Sequence, residues 1–500
     1  MKIAYFLDIP DGLGGAGNLL LNQAALMSTT NDVLVVIPCN DKGIINLEYE
    51  KRCRRNSLKY VGMQYSTAFE FTRIRMDKLL PQGNIIIKFL RENNVDLVHS
   101  VQLNPTLEFA ARTCQIPNLM SIYQIQEYQF ENDYGNIYPQ FHLCDSIIFS
   151  DVWKRHLNMY SRCIRPVAIT DRIVVKEKRN LQSINFVMLG SVCERKNQLS
   201  AIEAINSISD EYNIHLAIVG AEDTNYADRC RDYIKRHRLS TKVKLCGFVS
   251  EINEILSESD VILCTSTSES FPSSIVEALS YDLTVVSTPV AGVPEIFRDG
   301  FNSYISEGYS MDDIAKKITQ CLNDYSSGNI EKIEGNATKT WEENFSREHV
   351  KSELSTYYAY ICKHYKNESL SDFYYWDKRI NDCLNLYPNL NSCSAFLQNN
   401  LFCLSLLEKI SHMDRVLIWG AGKFGKELYE VLCCMDLKSR IIGFADKSVK
   451  GTYLGKSVIE PKKICDDDVD GVILSFRADK QEAIVYLNEK GIDTRKIIIS

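Results

Sequence analysis

Val261-Ile262-Leu263-Cys264-Thr265-Ser266-Thr267-Ser268-Glu269-Ser270-Phe271-Pro272-Ser273-Ser274-Ile275-Val276-Glu277 is the stretch from which the rest of the chain can be read. Four apolar residues in a row make a buried strand, a short polar loop follows, and Pro272 suits the first turn of a helix. Such a turn leaves the N–H groups of Ser273 and Ser274 without helical partners. Those donors and the helix dipole together favour an anion. Glu269 lies before the helix and Glu277 one turn inside it. Two carboxylates flanking an anion site suit a ligand with hydroxyl groups on both sides of a diphosphate, that is, a nucleotide sugar.

Outward from this stretch, apolar runs alternate with helical patterns over most of the first 345 residues. Ile3–Leu7, Val33–Pro38, Val95–His99, Leu119–Tyr123 and Ser146–Ser150 read as strands, with helical segments such as Gly17–Met27 and Asn84–Asn93 between them. After a turn near Lys176–Asn180 comes a second set: Asn185–Leu189, His215–Val219, Lys242–Leu245, Val261–Cys264 and Thr284–Val286. The alternation predicts two doubly wound parallel sheets with a cleft between them. From Trp341 to Met413 no strand run stands out, and His349–His364 and Leu397–Ile410 have helical spacing. This predicts a helix that closes the second domain, then a helical connector. A strand–helix–strand pattern resumes with Val416–Trp419, Lys423–Cys434 and Ile441–Ala445. The expected division is 1–178, 179–365, 366–412 and 413–500.

The chain has 500 residues, which at roughly 100–200 residues per domain agrees with about three domains. Hydrophobic residues at 45% and charged residues at 24% exclude a collagen, a disordered tail and a membrane channel. The net charge of −7 argues against a protein that wraps nucleic acid. The first apolar run stops at Asp8, too early for a secretory leader. The longest uncharged stretch, Cys383–Leu407, contains Pro388 and several Asn, so it is not a membrane span. The 17 Cys include no Cys-x-x-Cys pair, which suggests reduced thiols in the cytoplasm. The His residues do not cluster with Cys at zinc-ligand spacing. His99 reads equally well as a cleft residue and as a hydrogen-bonded strand end.

The form Glu-Ser-Phe-Pro followed by four residues and Glu resembles the signature of family 4 of the retaining glycosyltransferases. Other segments agree in order. Gly14-Gly15-Ala16-Gly17 resembles the family's N-terminal glycine loop, Leu189–Asn197 its phosphate-binding segment, and Gly247-Phe248-Val249 its base-holding loop. Thr288–Glu295 resembles the segment after the next strand. The resemblance implies the GT-B fold: two Rossmann-like domains facing a cleft. It implies that Lys196, with Arg195, binds the donor diphosphate, that Glu269 holds the transferred sugar and that Glu277 holds the ribose. Gly14, Gly15, Val249, Ser270, Phe271, Ser273 and Ser274 would line the donor site, with Lys196 and Glu269 as the catalytic pair. The family often has Arg where Ser191 stands, and His where this chain offers Gln124, Gln126 and Glu127. No Asp-x-Asp motif ends a strand in the first 345 residues, so no metal and no cofactor is expected for transfer. Asp466-Asp467-Asp468 reads as a solvated turn. The implied activity is retaining transfer from a nucleoside-diphosphate sugar to a glycan or lipid-linked hydroxyl in surface polysaccharide assembly. A sugar-nucleotide sensor and a nucleotide-sugar epimerase stand as alternatives.

Gly420-Ala421-Gly422-Lys423-Phe424-Gly425 follows a strand and opens a helix, and Asp446 follows about 20 residues later, as in dinucleotide sites. The segment resembles the nucleotide-binding units that begin some sugar acyltransferases. It suggests a second nucleotide site built by Gly420, Gly422, Gly425 and Asp446, with a structural remnant and an active redox domain as the alternatives. Residues 1–365 are then expected to retain some transfer activity when made alone. Lys51, Arg52, Arg54, Arg55, Lys59, Arg73, Arg75 and Lys78 form a basic region that reads as a solvated face or as a contact with anionic membrane. The latter would place the protein at the inner face of a membrane.

Overall fold

The structure is a computed structural model. It describes residues 1–9, 14–40, 42–65, 79–102, 104–123, 138–157, 160–168, 172–173, 183–208, 211–249, 252–393, 406, 409–410, 412–435, 437–475 and 480–499. The expected turn at 176–180, the residues Gln124, Gln126, Glu127, Arg73, Arg75 and Lys78, and most of 397–410 lie outside them.

The first domain holds a parallel sheet of β1 (Lys2–Phe6), β2 (Asp32–Pro38), β3 (Lys59–Met63), β4 (Leu97–Val101), β5 (Asn118–Ser121), β6 (Phe141–Cys144) and β7 (Tyr160–Cys163), in the order 3-2-1-4-5-6-7. Its helices are α1 (Gly15–Met27), α2 (Leu47–Arg55), α3 (Leu79–Glu92), α4 (Pro105–Cys114) and α5 (Ile147–Leu157). Leu20 and Ala24 of α1 and Tyr49 of α2 pack on one face, against Ile3, Tyr5 and Val35. Ile86 and Leu90 of α3 and Leu107 of α4 pack on the other, against Ala4, Phe6 and Val98. The expected strand Ser146–Ser150 is instead the start of α5. A five-residue apolar run has no periodicity to separate the two states, and Ser146 Oγ accepts from the Phe149 N–H at 3.4 Å, as a helix start requires.

The second sheet holds β8 (Ile184–Leu189), β9 (Ile214–Val219), β10 (Val243–Leu245), β11 (Val261–Cys264), β12 (Thr284–Ser287) and β13 (Tyr304–Ile305), parallel, in the order 10-9-8-11-12-13. Seven helices accompany it: α6 (Gln198–Ile208), α7 (Asn225–Arg236), α8 (Asn253–Ser257), α9 (Ser273–Leu279), α10 (Val293–Ile296), α11 (Met311–Ser327) and α12 (Ile330–Asn344).

The next two helices return to the first domain. The apolar stripe of α13 (Arg347–His364), Val350, Leu354, Tyr357, Tyr358 and Ile361, enters the first core and not the second. Helical periodicity identifies a buried face but not the sheet that buries it. Tyr358 also settles His99: its hydroxyl lies 2.8 Å from His99 Nδ1, while Nε2 meets Ser121 Oγ at 2.7 Å. His99 is fully buried, and burial pushes it down to about 3, so the ring is neutral and structural. In α14 (Ser371–Leu386), Phe373 and Ile380 fill the opposite face beside Phe109. The expected connector is therefore part of the first domain's packing. Phe373→Ala should cost about 3–5 kcal/mol. A chain ending at 365 should melt well below one ending at 393, and comparing the two melting temperatures tests this.

The third sheet holds β14 (Val416–Trp419), β15 (Ile441–Ala445), β16 (Gly451–Tyr453), β17 (Lys456–Ile459), β18 (Gly471–Leu474) and β19 (Ile497–Ile499), in the order 16-17-15-14-18-19. Only the β16–β17 pair is antiparallel. Its helices are α15 (Lys423–Cys434) and α16 (Lys480–Glu489). Leu384 of α14, with Leu390 and Cys393 beyond it, packs against Val431 and Met435 at α15, so α14 joins the first domain to the third unit. In every sheet the strand first in sequence lies inside. The winding reverses beside it, at β1/β4, β8/β11 and β14/β18. Ligands of such sheets bind at the carboxyl ends of the strands where this reversal opens a crevice.

Candidate functional site

Lys196 and Glu269 meet at the β8/β11 reversal. The chain leaves β8 through Gly190, whose φ of +129° favours glycine. A Cβ there would also come within 3.0 Å of Lys196 Cε, so glycine makes room for the lysine stem. The loop after β11 clamps the loop after β8. Thr265 Oγ1 donates to the carbonyls of Lys196 (2.9 Å) and Asn197 (3.0 Å), and the Thr267 N–H donates to Arg195 O (2.8 Å). Lys196 Nζ then lies 2.7 Å from Glu269 Oε1, with both side chains mostly buried at 16% and 14% exposure. Arg195 also contacts the Glu269 carboxylate and donates to Ser268 O at 2.9 Å. Two cations on one carboxylate leave a net positive charge in a sheltered crevice, which suits an anion.

The remaining donor-site residues divide. Glu277 is half-buried on α9. Burial raises its carboxyl, and Arg52 from α2 of the first domain and Lys196 oppose that shift. Ser273 and Ser274 begin α9. Phe271 does not face a ligand: its ring is 4% exposed, between Phe345 and Phe297, with the Arg165 guanidinium 5.3 Å from its centre. Only its backbone is left to face the crevice. Val249 packs at the margin of the second core, after a turn at Gly247. Gly14 caps α1, and a Cβ on the exposed Gly15 would meet nothing within 4 Å, so the backbone there is open to approach.

The loop after β11 is seated on the first domain by residues the sequence did not single out. Ser270 Oγ bonds to the Asp145 carboxylate at the end of β6, and Ser146 Oγ lies 3.4 Å from Ser270 Oγ. Glu295 on α10 accepts from the N–H groups of Ile147 (2.8 Å) and Ile148 (3.0 Å), the first turn of α5, and from Arg165 Nη2 (2.7 Å). Arg165 Nη1 donates to Asp145 O at 2.7 Å. Burial pushes Asp145 up from 3.8 to about 8, with the Ser270 hydrogen bond and Arg165 opposing it. The folded protein thus holds a proton that the unfolded chain releases. That contribution to stability is complete below the unfolded value and is lost as pH rises through about 8. Melting temperatures measured across this interval should fall less steeply in Asp145→Asn.

In the third unit, Gly420 (φ +122°) and Gly425 pack so closely that a Cβ on Gly425 would lie 2.0 Å from Gly420 O. Gly422 caps α15. Asp446 braces this loop: Oδ2 accepts from Ala421 N–H (2.8 Å), and Oδ1 from Ser448 (2.8 Å) and Val449 (3.0 Å). Burial raises its carboxyl, but these three bonds outweigh it and hold Asp446 below its usual range. In the basic region, Lys51 pairs with Glu48, Arg54 with Glu50 and Lys59 with Asp32, so much of its charge is matched locally. Among the described residues no helix is long and apolar enough to cross a membrane.

Two doubly wound sheets in series, with the loop after β11 of the second seated on the first, define the GT-B class of fold. Residues 170–340 match the family described as glycosyl transferases group 1, and residues 412–498 match one described as C2185-like, N-terminal. The chain is 27% identical over 150 residues to the phosphatidylinositol N-acetylglucosaminyltransferase GPI3 subunit of Saccharomyces cerevisiae, covering 30% of this chain and 33% of that protein. It is 27% identical over 197 residues to the capsular polysaccharide biosynthesis glycosyltransferase CapM of Staphylococcus aureus, covering 39% and 51%. It thus spans a third to a half of these relatives' length. In structure it resembles Anabaena HepE solved with UDP and glucose, with a TM-score of 0.58 and 16% identity over 72% of this chain and 99% of that one.

Proposed function

We propose that the chain is a retaining glycosyltransferase that moves a sugar from a nucleoside diphosphate to a hydroxyl of a glycan or lipid-linked acceptor, in surface polysaccharide assembly. The observation that carries this reading is the Lys196–Glu269 pair, 2.7 Å apart at the β8/β11 crevice. Lys196, with Arg195 beside it, stabilises the charge that develops on the leaving diphosphate. Glu269 accepts hydroxyls of the transferred sugar, and Glu277 those of the ribose. Attack on the face the diphosphate leaves lets a phosphate oxygen take the acceptor proton, so no protein base is required. Relatives and neighbours that handle N-acetylglucosaminyl groups, capsular polysaccharide or UDP support this reading.

A thermal-stabilisation screen of UDP-, GDP- and ADP-sugars, followed by hydrolysis of the hits, tests it. Ligand at 100 times its Kd adds about 2.7 kcal/mol. Absence of stabilisation and hydrolysis throughout the panel would reject the reading. Lys196 takes the place of a cation at the leaving group, so transfer should survive EDTA. Loss restored by Mn²⁺ or Mg²⁺ would show otherwise.

The reading extends to a second nucleotide bound by the loop Gly420–Gly425, to a cytoplasmic location and to contact with anionic lipid through α2. Gly425→Ala should remove one binding event from calorimetric titrations of the full chain and leave transfer intact. Sedimentation with phosphatidylglycerol vesicles reads the lipid contact.

A further inference from the structure

Asp145 belongs to the first domain, yet it touches the chain neighbour of the crevice's carboxylate. It follows β6, is 1% exposed, and accepts a hydrogen bond from Ser270 Oγ, the residue after Glu269. Three segments meet there without spare room. A Cβ on Gly292, in the loop after β12, would come within 2.8 Å of the Phe271 ring, 2.9 Å of Ser146 Cβ and 3.0 Å of Ser270 O. The Gly292 N–H donates to Ser270 O at 3.0 Å. Ser270 is thus held on its backbone by its own domain and on its side chain by the other. Arg165 completes the corner: it donates to Asp145 O, pairs with Glu295 and lies against the Phe271 ring.

The Glu269 carboxylate is paired with Lys196 and Arg195, the two cations that a diphosphate would claim. Once they turn to a phosphate, the backbone at Ser270 is left to fix Glu269, and Asp145 anchors it. A group that meets substrate is only as well placed as the contacts that support it. The titratable and charged groups around Asp145 are Tyr123, Cys144, Cys163 and Arg165 of its own side and Glu269 of the other. Glu295 reaches it through Arg165, and Asp151 and Lys154 of α5 pair with each other on an exposed side. An ionised Asp145 would set a second negative charge behind Glu269, and like charges so placed repel.

We propose that Asp145 is a positioning residue for sugar transfer, holding Glu269 opposite Lys196 through the hydroxyl of Ser270 across the two domains. This rests on the glycosyltransferase reading above. The neutral form serves the reaction. Burial keeps Asp145 neutral up to about 8, with Ser270 and Arg165 opposing that shift and Glu269 adding to it. Transfer therefore declines as pH rises through that value.

The test uses the full chain with Asp145→Ala, Asp145→Asn and Ser270→Ala. UDP release from UDP-N-acetylglucosamine, replaced by a hydrolysed hit of the screen if it is inert, gives kcat and KM across neutral and alkaline pH, beside thermal melts. The wild type should lose kcat above about 8. Asp145→Ala should lower kcat at least about tenfold with KM little changed, since a misplacement of about 1 Å can cost about 100-fold. Asp145→Asn keeps the shape without the charge, so it should recover most of that rate and lack the alkaline decline. Ser270→Ala removes a bond that lowers Asp145, so its decline should move to higher pH. If Asp145→Ala does not fold, the other two variants decide. Three results overturn the role: a wild-type rate in Asp145→Ala, a wild-type kcat that is flat through about 8, or an unmoved decline in Asp145→Asn. A purely structural Asp145 would change the melts and leave the pH profile where it was. A wild-type chain that neither binds nor hydrolyses any nucleotide sugar rejects the glycosyltransferase reading, and the positioning role falls with it.

Discussion

Lys196→Ala and Glu269→Ala are each expected to lower turnover at least about 100-fold, because a preorganised charge lost at the transition state costs about 3 kcal/mol. The two should differ in their side effects. Removing Lys196 leaves Glu269 with Arg195 still in contact, so the loop stays neutralised. Removing Glu269 leaves Lys196 and Arg195 facing each other across the crevice without their shared carboxylate. Glu269→Ala should therefore also shift the melting temperature, and Glu269→Gln should restore less of it than of the shape. Steady-state rates with the donor found by the screen, beside thermal melts, check both. Near-normal turnover in either variant would remove the pair from the site.

Glu295→Ala is expected to be the most damaging single change to stability. Arg165 and Glu295 are only 8% and 11% exposed. Removing the carboxylate strands a buried guanidinium, a loss of about 3–5 kcal/mol, and orphans the N–H groups that begin α5. The expected signature is a melt that separates into domain transitions, since Glu295 lies on the second domain and its partners on or next to the first. A single transition at the wild-type temperature would show that the domains are held elsewhere. Arg165→Met in the Glu295→Leu background should recover much of the loss, because an apolar pair of similar size carries no desolvation cost.

Most central strands were legible because each is a short apolar run between turns, although the interior strands β6 and β18 were not read. Of the edge strands, β10 was read as Lys242–Leu245 and the others were not. β3, Lys59-Tyr60-Val61-Gly62-Met63, and β7, Tyr160-Ser161-Arg162-Cys163, end the first sheet on either side and carry Lys, Gly, Ser and Arg. Edge strands tolerate and even require such residues, so their apolar signal disappears. The hairpin β16–β17 escaped for the same reason. At the candidate site, Lys196 and Glu269 were readable because each sits in a local strand–loop motif. Asp145 and Arg165 were not, since their partners Ser270 and Glu295 lie 125 and 130 residues away and share no local pattern with them. Phe271 sat inside the right motif but faces the core, and a motif fixes a backbone path without saying which side of it a ring will take.

The return of α13 and α14 to the first domain has a mechanical consequence. The second domain is entered and left at the same neighbour, while the third unit is joined through α14 to the first domain. Three sheets are then expected to move as two bodies. When the second domain swings, dyes on the second domain and the third unit should change their separation, and dyes on the first domain and the third unit should not.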